Sequence, residues 1–254
     1  MMRSKKIVII GGGISGLCSA YYLCREGHQV TVIDKGDITS GASFINAGFI
    51  IPSHFTSLAA PGIISQGLKW MLNSNSPFYV KPRFDLEFFK WIIDFKRSAT
   101  AGKVEKAIPV LKEINLKSQV LYEEMYSSLS FPFHYEKKGL LMAFMTAKNE
   151  EEEKKLAERA IQEGLEANHL SREELKKVQP GFSDQVMGAV HYKCDSHSTP
   201  GDFMSGLKEW LSENGVKFHL DQQVKRIISE GNKVTAVATR DGLFEAEEFV
   251  LAAG

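Results

Sequence analysis

Residues 5–34 read KKIVIIGGGISGLCSAYYLCREGHQVTVID, and no other stretch restricts the fold so tightly. Ile7 to Ile10 form an apolar run suited to a buried strand. Gly11, Gly13 and Gly16 then fall on the G-x-G-x-x-G positions. The first turns the chain, the second lets backbone approach a pyrophosphate, and the third lets a helix pack close to the strand. Ile14 and Ser15 open that helix, whose unpaired N–H groups and positive dipole end suit an anion. It continues through Leu17, Ala20, Tyr21 and Leu23, and Gly27 ends it. Gln29 to Ile33 make a second strand. Asp34, with Lys35 beside it, closes the unit 21 residues after Gly13, where a carboxylate reaches a ribose diol. Glycines serving only a tight turn would not require strand, helix, strand and acid in register.

The whole chain sets wider bounds. Its 254 residues are 43% hydrophobic and 24% charged, enough for one large or two modest globular domains. With 31 basic and 31 acidic side chains there is no electrostatic case for nucleic acid, so a small-molecule partner is expected. The odd count of three cysteines, Cys18, Cys24 and Cys194, predicts reduced thiols and a cytoplasmic setting. Arg3, Lys5 and Lys6 before an apolar stretch imitate a leader, but three consecutive glycines interrupt it. No run of 18 apolar residues is long enough to span a bilayer.

Beyond Asp34, residues 38–51 are rich in small residues and turn formers, which suits a loop whose backbone touches a ligand. Helices are expected over Ile63–Leu72, Leu86–Phe95 and Val104–Tyr126, the last interrupted near Pro109. Phe133–Met145 reads as strand with a break at Lys137-Lys-Gly139. Asn149–Asn168 reads as a charged helix with Leu156, Ala160, Ile161 and Leu165 inward, its Glu150–Glu153 run being a solvated face. Ser171 and Glu174 form a capping box, and a helix over Gly201–Glu213 turns Phe203, Leu207, Trp210 and Leu211 inward. Strands follow at 216–220, 224–229, 234–239 and 244–246, and 249–254 returns a glycine-ended strand to the cofactor sheet. These elements predict an α/β architecture: a doubly wound Rossmann-like domain over 1–54 and 171–254, and an α+β cap and substrate domain over 55–170.

The chain resembles the flavin-dependent amine and amino-acid oxidoreductases, the group of D-amino-acid oxidase, glycine oxidase and sarcosine oxidase, over essentially its full length. Within the group it is most similar to the bacterial D-amino-acid dehydrogenase branch. The likeness rests on Asn46-Ala-Gly48, Pro52, Ala60-Pro-Gly62, Lys69-Trp-Met71, Pro77, Trp91, Asp195, Gly201-Asp202 and Ala253-Gly254. The resemblance implies FAD as cofactor. Gly11, Gly13 and Gly16 would hold its pyrophosphate and Asp34 its ribose. Ser43 to Gly48, including Asn46 and Ala47, would lie at the flavin-proximal phosphate and ring, Val224 would meet the adenine through its backbone, and Ala253 and Gly254 close the sheet. It also implies oxidative deamination of a D-amino acid to a 2-oxo acid and ammonia. Electrons would pass to a quinone or other carrier, with room for a peripheral position on the inner face of the cell membrane. D-hydroxyproline, glycine or sarcosine are the alternative substrates. Relatives continue past the position of Gly254 with an arginine for the substrate carboxylate. The chain therefore reads as an amino-terminal portion, or else as a non-catalytic flavin-binding module.

Two remaining groups bear on chemistry. His191, Cys194, Asp195 and His197 lie within seven residues, but they lack a second ligand pair at structural-zinc spacing, so a substrate-side loop is expected and no metal. His54 follows Pro52; it reads first as a solvent-exposed loop histidine and second as a candidate for a polar role near the ring. Leu68–Leu72 and Phe88–Ile93 place aromatics and lysines at helical spacing, which core packing explains as well as an interfacial helix does.

Overall fold

A computed structural model of the chain describes residues 3–57, 83 and 85–254. The helix expected over Ile63–Leu72, and the motifs Ala60-Pro-Gly62, Lys69-Trp-Met71 and Pro77, lie outside the described residues. In chain order the elements are β1 (Lys6–Ile10), α1 (Ile14–Arg25), β2 (Gln29–Ile33), β3 (Phe49–Ile50), α2 (Leu86–Ser98), α3 (Ala101–Ser128), β4 (Tyr135–Glu136) and β5 (Leu140–Phe144). There follow α4 (Ala147–Gln162), β6 (Ala167–Ser171), α5 (Arg172–Val178), β7 (Gly188–Tyr192), β8 (Ser196–Ser198), α6 (Pro200–Glu213), β9 (Lys217–His219), β10 (Arg226–Glu230), β11 (Lys233–Thr239), β12 (Gly242–Glu245) and β13 (Glu248–Leu251).

Backbone proximity divides the chain into two compact units. The first comprises Met1–Phe49, Tyr126–Glu136 and His197–Gly254; the second comprises Ile50–Met125 and Lys137–Ser196. This differs from sequence boundaries at 54 and 171. Residues 171–196 belong with the second unit because β7 pairs antiparallel with both β5 and β6, from Phe144↔Gly188 and Ser171↔Gly188 to Leu140↔Tyr192 and Ala167↔Tyr192. A strand in the middle of a sheet cannot be assigned apart from its neighbours.

The first unit is built on a parallel sheet of order β13-β1-β2-β9. β1 lies between β2 (Ile10↔Ile33) and β13 (Ile10↔Leu251), so the two sequence-distant strands flank it, as the glycine-ended closing strand predicts. A strand buried on both faces is apolar throughout, and Ile7 to Ile10 are all buried. On one side α1 packs by Gly16, Leu17, Ala20 and Tyr21, and the Tyr21 ring meets Trp210 of α6 at 5.1 Å. On the other, Val8, Ile10 and Ile33 pack against Val237 of the antiparallel meander β10–β11–β12. Each such fully buried aliphatic side chain contributes about 1.5–3 kcal/mol. The strand at 217–219 leaves the antiparallel series and joins β2 in parallel, with Val32↔Phe218.

The second unit centres on Phe55, Val104, Ile108, Ala160, Leu165, Val190 and Tyr192, with a smaller cluster around Leu175 and Ala189. Four expectations change here. Helix α3 runs unbroken through Pro109, giving up only that residue's N–H bond. Helix α4 ends at Gln162 rather than near 168, because Gly164 takes φ +82 and the Gly164 and Leu165 amides turn back to Ile161 and Ala160. Its inner face is Ala157 and Ala160, whereas Leu156 and Ile161 are more than half exposed; two small residues let the helix sit close to its cluster. Residues 191–197, expected as loop, include the end of β7 and most of β8. The acidic run of α4 does form a solvated face, pairing Glu150 with Lys154 and Glu151 with Lys155. Among the described residues, no helix is long and apolar enough to cross a membrane.

Candidate functional site

The carboxyl ends of β1, β2 and β13 open into a cleft of about 800 Å³ within the first unit. Its walls are the glycine turn 11–13, the first turn of α1, Asp34–Gly36, Ser40–Ser43 and Val250–Gly254. Backbone closeness shapes it. Gly11 has φ +108, and a Cβ there would stand 2.2 Å from the Ala252 carbonyl oxygen. A Cβ on Gly16 would stand 1.9 Å from the Gly11 carbonyl oxygen, so only glycine lets α1 approach β1. Gly13 is different: its Cβ would meet only Ser43 Oγ, at 3.1 Å, and would otherwise project into open cleft.

The electrostatics suit an anion. Gly13 caps α1 with no side-chain acceptor, and the first turn contains no acidic residue. The amide dipoles therefore face the cleft with no acidic side chain of the helix itself to neutralise them. The Ile14 amide donates to Ser43 Oγ at 3.1 Å, which ties the 40–43 loop to the helix start. Asp34 sits across from this end. Its Oδ2 accepts from the Gly12 amide at 2.6 Å and its Oδ1 from the Gly36 amide at 2.8 Å. The side chain holds the two turns that form the walls, and each oxygen keeps a lone pair for a further donor. Backbone bonds Asp34 N to His219 O (3.0 Å) and Gln222 N to Asp34 O (2.8 Å) fix the carboxylate's position. Backbone turn, side-chain-free cap and acid together provide donors for paired phosphates and an acceptor for a ribose, which is what an FAD nucleotide needs.

Nine of the residues singled out from sequence line this cleft: Gly11, Gly13, Ile14, Ser15, Asp34, Lys35, Ser43, Ala253 and Gly254. Gly16 lies behind it as the packing glycine. Asn46, Ala47 and Gly48 are not in its walls. Asn46 instead staples its own loop, donating from Nδ2 to the Ala42 and Ser43 carbonyls and accepting from the Gly48 amide at 2.7 Å. Gly48 has φ +71 and a Cβ there would lie 2.0 Å from the Ser198 carbonyl oxygen. Val224 packs its side chain against the Val8, Ile10, Ile33 and Val237 cluster rather than lining the cleft.

Sequence reasoning missed Ser19 and Gly36 as lining residues, and included Ile38 only as the start of a ligand-touching loop. Ile38 is buried with φ +77, a conformation a β-branched residue adopts at a cost of about 1–3 kcal/mol, and its side chain fills the space beside Gly12. No local signal marks it, because isoleucine is the residue least expected at positive φ.

In the second unit, His54 is exposed and its Nδ1 lies 2.8 Å from Ser53 Oγ. Ser53 Oγ donates to Oδ2 of the fully buried Asp195 at 2.5 Å, and the Ser53 amide donates to Oδ1 at 3.0 Å. The other members of the 191–197 group go separate ways. His191 Nε2 meets the Lys138 carbonyl at 2.9 Å, and burial pushes the Cys194 thiol up to about 12, with Asp195 beside it. Burial likewise pushes the Cys18 thiol up to about 11, so neither is a reactive thiolate.

The FAD dependent oxidoreductase family, DAO, matches residues 6–254. Among curated proteins the chain is 32% identical to a D-amino acid dehydrogenase of Helicobacter pylori over 250 residues, covering 98% of this chain and 60% of that one. It is 29% identical to a D-amino acid dehydrogenase of Neisseria meningitidis serogroup A over 253 residues, with the same coverage. The chain thus spans about 60% of the length of these relatives. Among solved structures, glycine oxidase from Geobacillus kaustophilus superposes with a TM-score of 0.68 at 19% identity, over 100% of this chain and 56% of that one. L-amino acid deaminase from Proteus myxofaciens gives 0.66 at 19%, over 100% and 46%. At such identities these two establish the fold.

Proposed function

Because the chain belongs to the DAO family of FAD-dependent oxidoreductases, we propose that it forms the nucleotide-binding part of a dehydrogenase that converts D-amino acids to 2-oxo acids and ammonia. The observation that carries the reading is the cleft between the glycine turn and Asp34, in a chain matching D-amino acid dehydrogenases over 98% of its length. Bound FAD supplies the two-electron acceptor for oxidation of the Cα–N bond.

The chain's own residues bind and orient. The Ser15 amide and the turn at Gly11–Gly13 would hold the pyrophosphate, with Ile14 tied to Ser43 beside it and Gly16 setting the helix against it. Asp34, fixed by Gly12 and Gly36, would accept from the ribose. Ala253 and Gly254 would flank the cofactor from the end of β13, and Lys35 and Ser43 would line its path. We assign Asn46, Ala47 and Gly48 the role of shaping the loop before the flavin ring, and Val224 an adenine contact through its backbone.

His54 is the residue we assign to proton handling at the substrate amine. The Ser53 hydroxyl has one proton, which it gives to Asp195, so its oxygen accepts from His54 Nδ1–H. That leaves the Nε2 lone pair free to take a proton. Electrons pass to a quinone or other carrier rather than to oxygen, from a cytoplasmic protein lying peripherally on the inner face of the membrane.

A substrate panel on the full-length protein with an artificial acceptor tests the reading. Turnover of D-amino acids above glycine, sarcosine and D-hydroxyproline is expected. Activity confined to those three, or to 2-hydroxy acids, overturns it.

A further inference from the structure

The antiparallel pair β4–β8 brings together three metal-ligating side chains from segments more than 60 residues apart in sequence. Tyr135 pairs with Ser198 and Glu136 with His197. The ladder continues one step further, since the His134 amide donates to Thr199 Oγ1 at 3.0 Å and the Thr199 amide donates to the His134 carbonyl at 3.1 Å. Side chains alternate along a strand, so His134 and Glu136 share one face. His197 stands directly opposite Glu136 and diagonal to His134, within reach of both. The imidazole centroids are 5.3 Å apart, and His134 Nε2 lies 3.7 Å from Glu136 Oε1. One donor atom from each residue lies within 4.8 Å of the other two, the single such group among the described residues.

We propose that His134, Glu136 and His197 form a binding site for a divalent transition-metal ion of the zinc class, separate from the nucleotide cleft. Two imidazoles and one carboxylate are a nitrogen-rich, borderline donor set, which selects zinc, cobalt, nickel or copper over magnesium or calcium. With bonds of 2.0–2.1 Å, donors around a tetrahedral ion stand about 3.3 Å apart. The donors would have to close from within 4.8 Å, and the His134 side chain, half exposed, has room to move. Water completes the coordination. The ion ties the 134–136 strand to the segment that leads directly into α6, a link of more than 60 residues in sequence. The four-residue group at 191–197 does not converge, but His197 gains partners that no sequence spacing could reveal.

The test uses the full-length, FAD-loaded protein titrated with Co²⁺ and, against a chromophoric competitor, with Zn²⁺. Stoichiometric uptake is expected, with a cobalt spectrum showing nitrogen and oxygen ligation and no thiolate charge-transfer band. The variants His134→Ala, Glu136→Gln and His197→Ala should each weaken uptake at least tenfold, while His191→Ala leaves it unchanged. At Zn²⁺ a hundredfold above Kd, thermal unfolding should rise by about 3 °C in the parent and not in His197→Ala. Absence of stoichiometric uptake by the parent overturns the proposal, as does uptake undiminished in His134→Ala and His197→Ala. A thiolate band in the cobalt spectrum also overturns it. Flavin content is read from the same samples, so a failure of the FAD reading is seen separately.

Discussion

In the nucleotide-binding unit the decisive contacts are backbone against backbone, at Gly11 with Ala252 and Gly16 with Gly11, where an added carbon would stand 2.2 and 1.9 Å from a carbonyl oxygen. In the second unit they are side chain against side chain, from Phe55 and Ile108 to Val190 and Tyr192. Carbonyl oxygens tied into a parallel sheet cannot move aside, whereas a cluster of aliphatic and aromatic groups can partly relax around a change. The first region should therefore lose both fold and cofactor when Gly11 or Gly16 is replaced. The second should lose stability in proportion to the volume removed, with flavin affinity unchanged.

Gly16→Ala gives the largest expected effect. Its methyl group collides with the Gly11 carbonyl, at a cost of about 3 kcal/mol or more, and the protein should be recovered mostly unfolded. Soluble, fully flavinylated Gly16→Ala protein would break the comparison on its first side. Leu175→Ala empties a position that is 1% exposed in the second unit. Chemical denaturation should register a loss of about 2–5 kcal/mol with FAD affinity unchanged; a parallel loss of flavin would show that the two regions are not energetically separate. Gly13→Val meets only Ser43 Oγ inside the protein, so the fold should persist by circular dichroism while the purified protein is colourless. Asp34→Ala removes the acceptor proposed for the FAD ribose, worth on the order of 1.5–3 kcal/mol, together with the partner of the Gly12 and Gly36 amides. FAD titration should show binding on the order of tenfold to a hundredfold weaker, with the fold kept. The smallest change is Tyr192→Phe, which removes the hydroxyl that donates to Glu153 at 2.8 Å. About 1 kcal/mol of stability should be lost and no flavin affinity. Burial, helped by Glu153, drives the Tyr192 phenol above its usual pKa, so it stays protonated and acts as a donor through the neutral range.

The difference between the regions also explains what the sequence disclosed. The nucleotide cleft is written over 30 consecutive residues, because turn, helix start and acid are local geometry with glycines that only one arrangement uses. The position of β13 beside β1 was legible for the same reason: a second apolar strand ending in small residues has few other places to go. The second unit was legible only in part. The inner face of α4 falls on Ala157 and Ala160 rather than on its larger apolar residues, since the choice depends on how closely β6 and β7 approach. The strand at 188–192 escaped notice because its burial is set by partners at 140–144 and 167–171, contacts that no local pattern encodes. His134 and Glu136 escaped as partners of His197 in the same way.

The central claim is that the Gly11–Asp34 cleft binds FAD, and the as-purified absorption spectrum of the full-length gene product tests it most directly. The account predicts a yellow protein whose spectrum is that of a flavin, released on denaturation as FAD in stoichiometric amount. A colourless protein that takes up no FAD on reconstitution, and binds NAD by calorimetry instead, would contradict it.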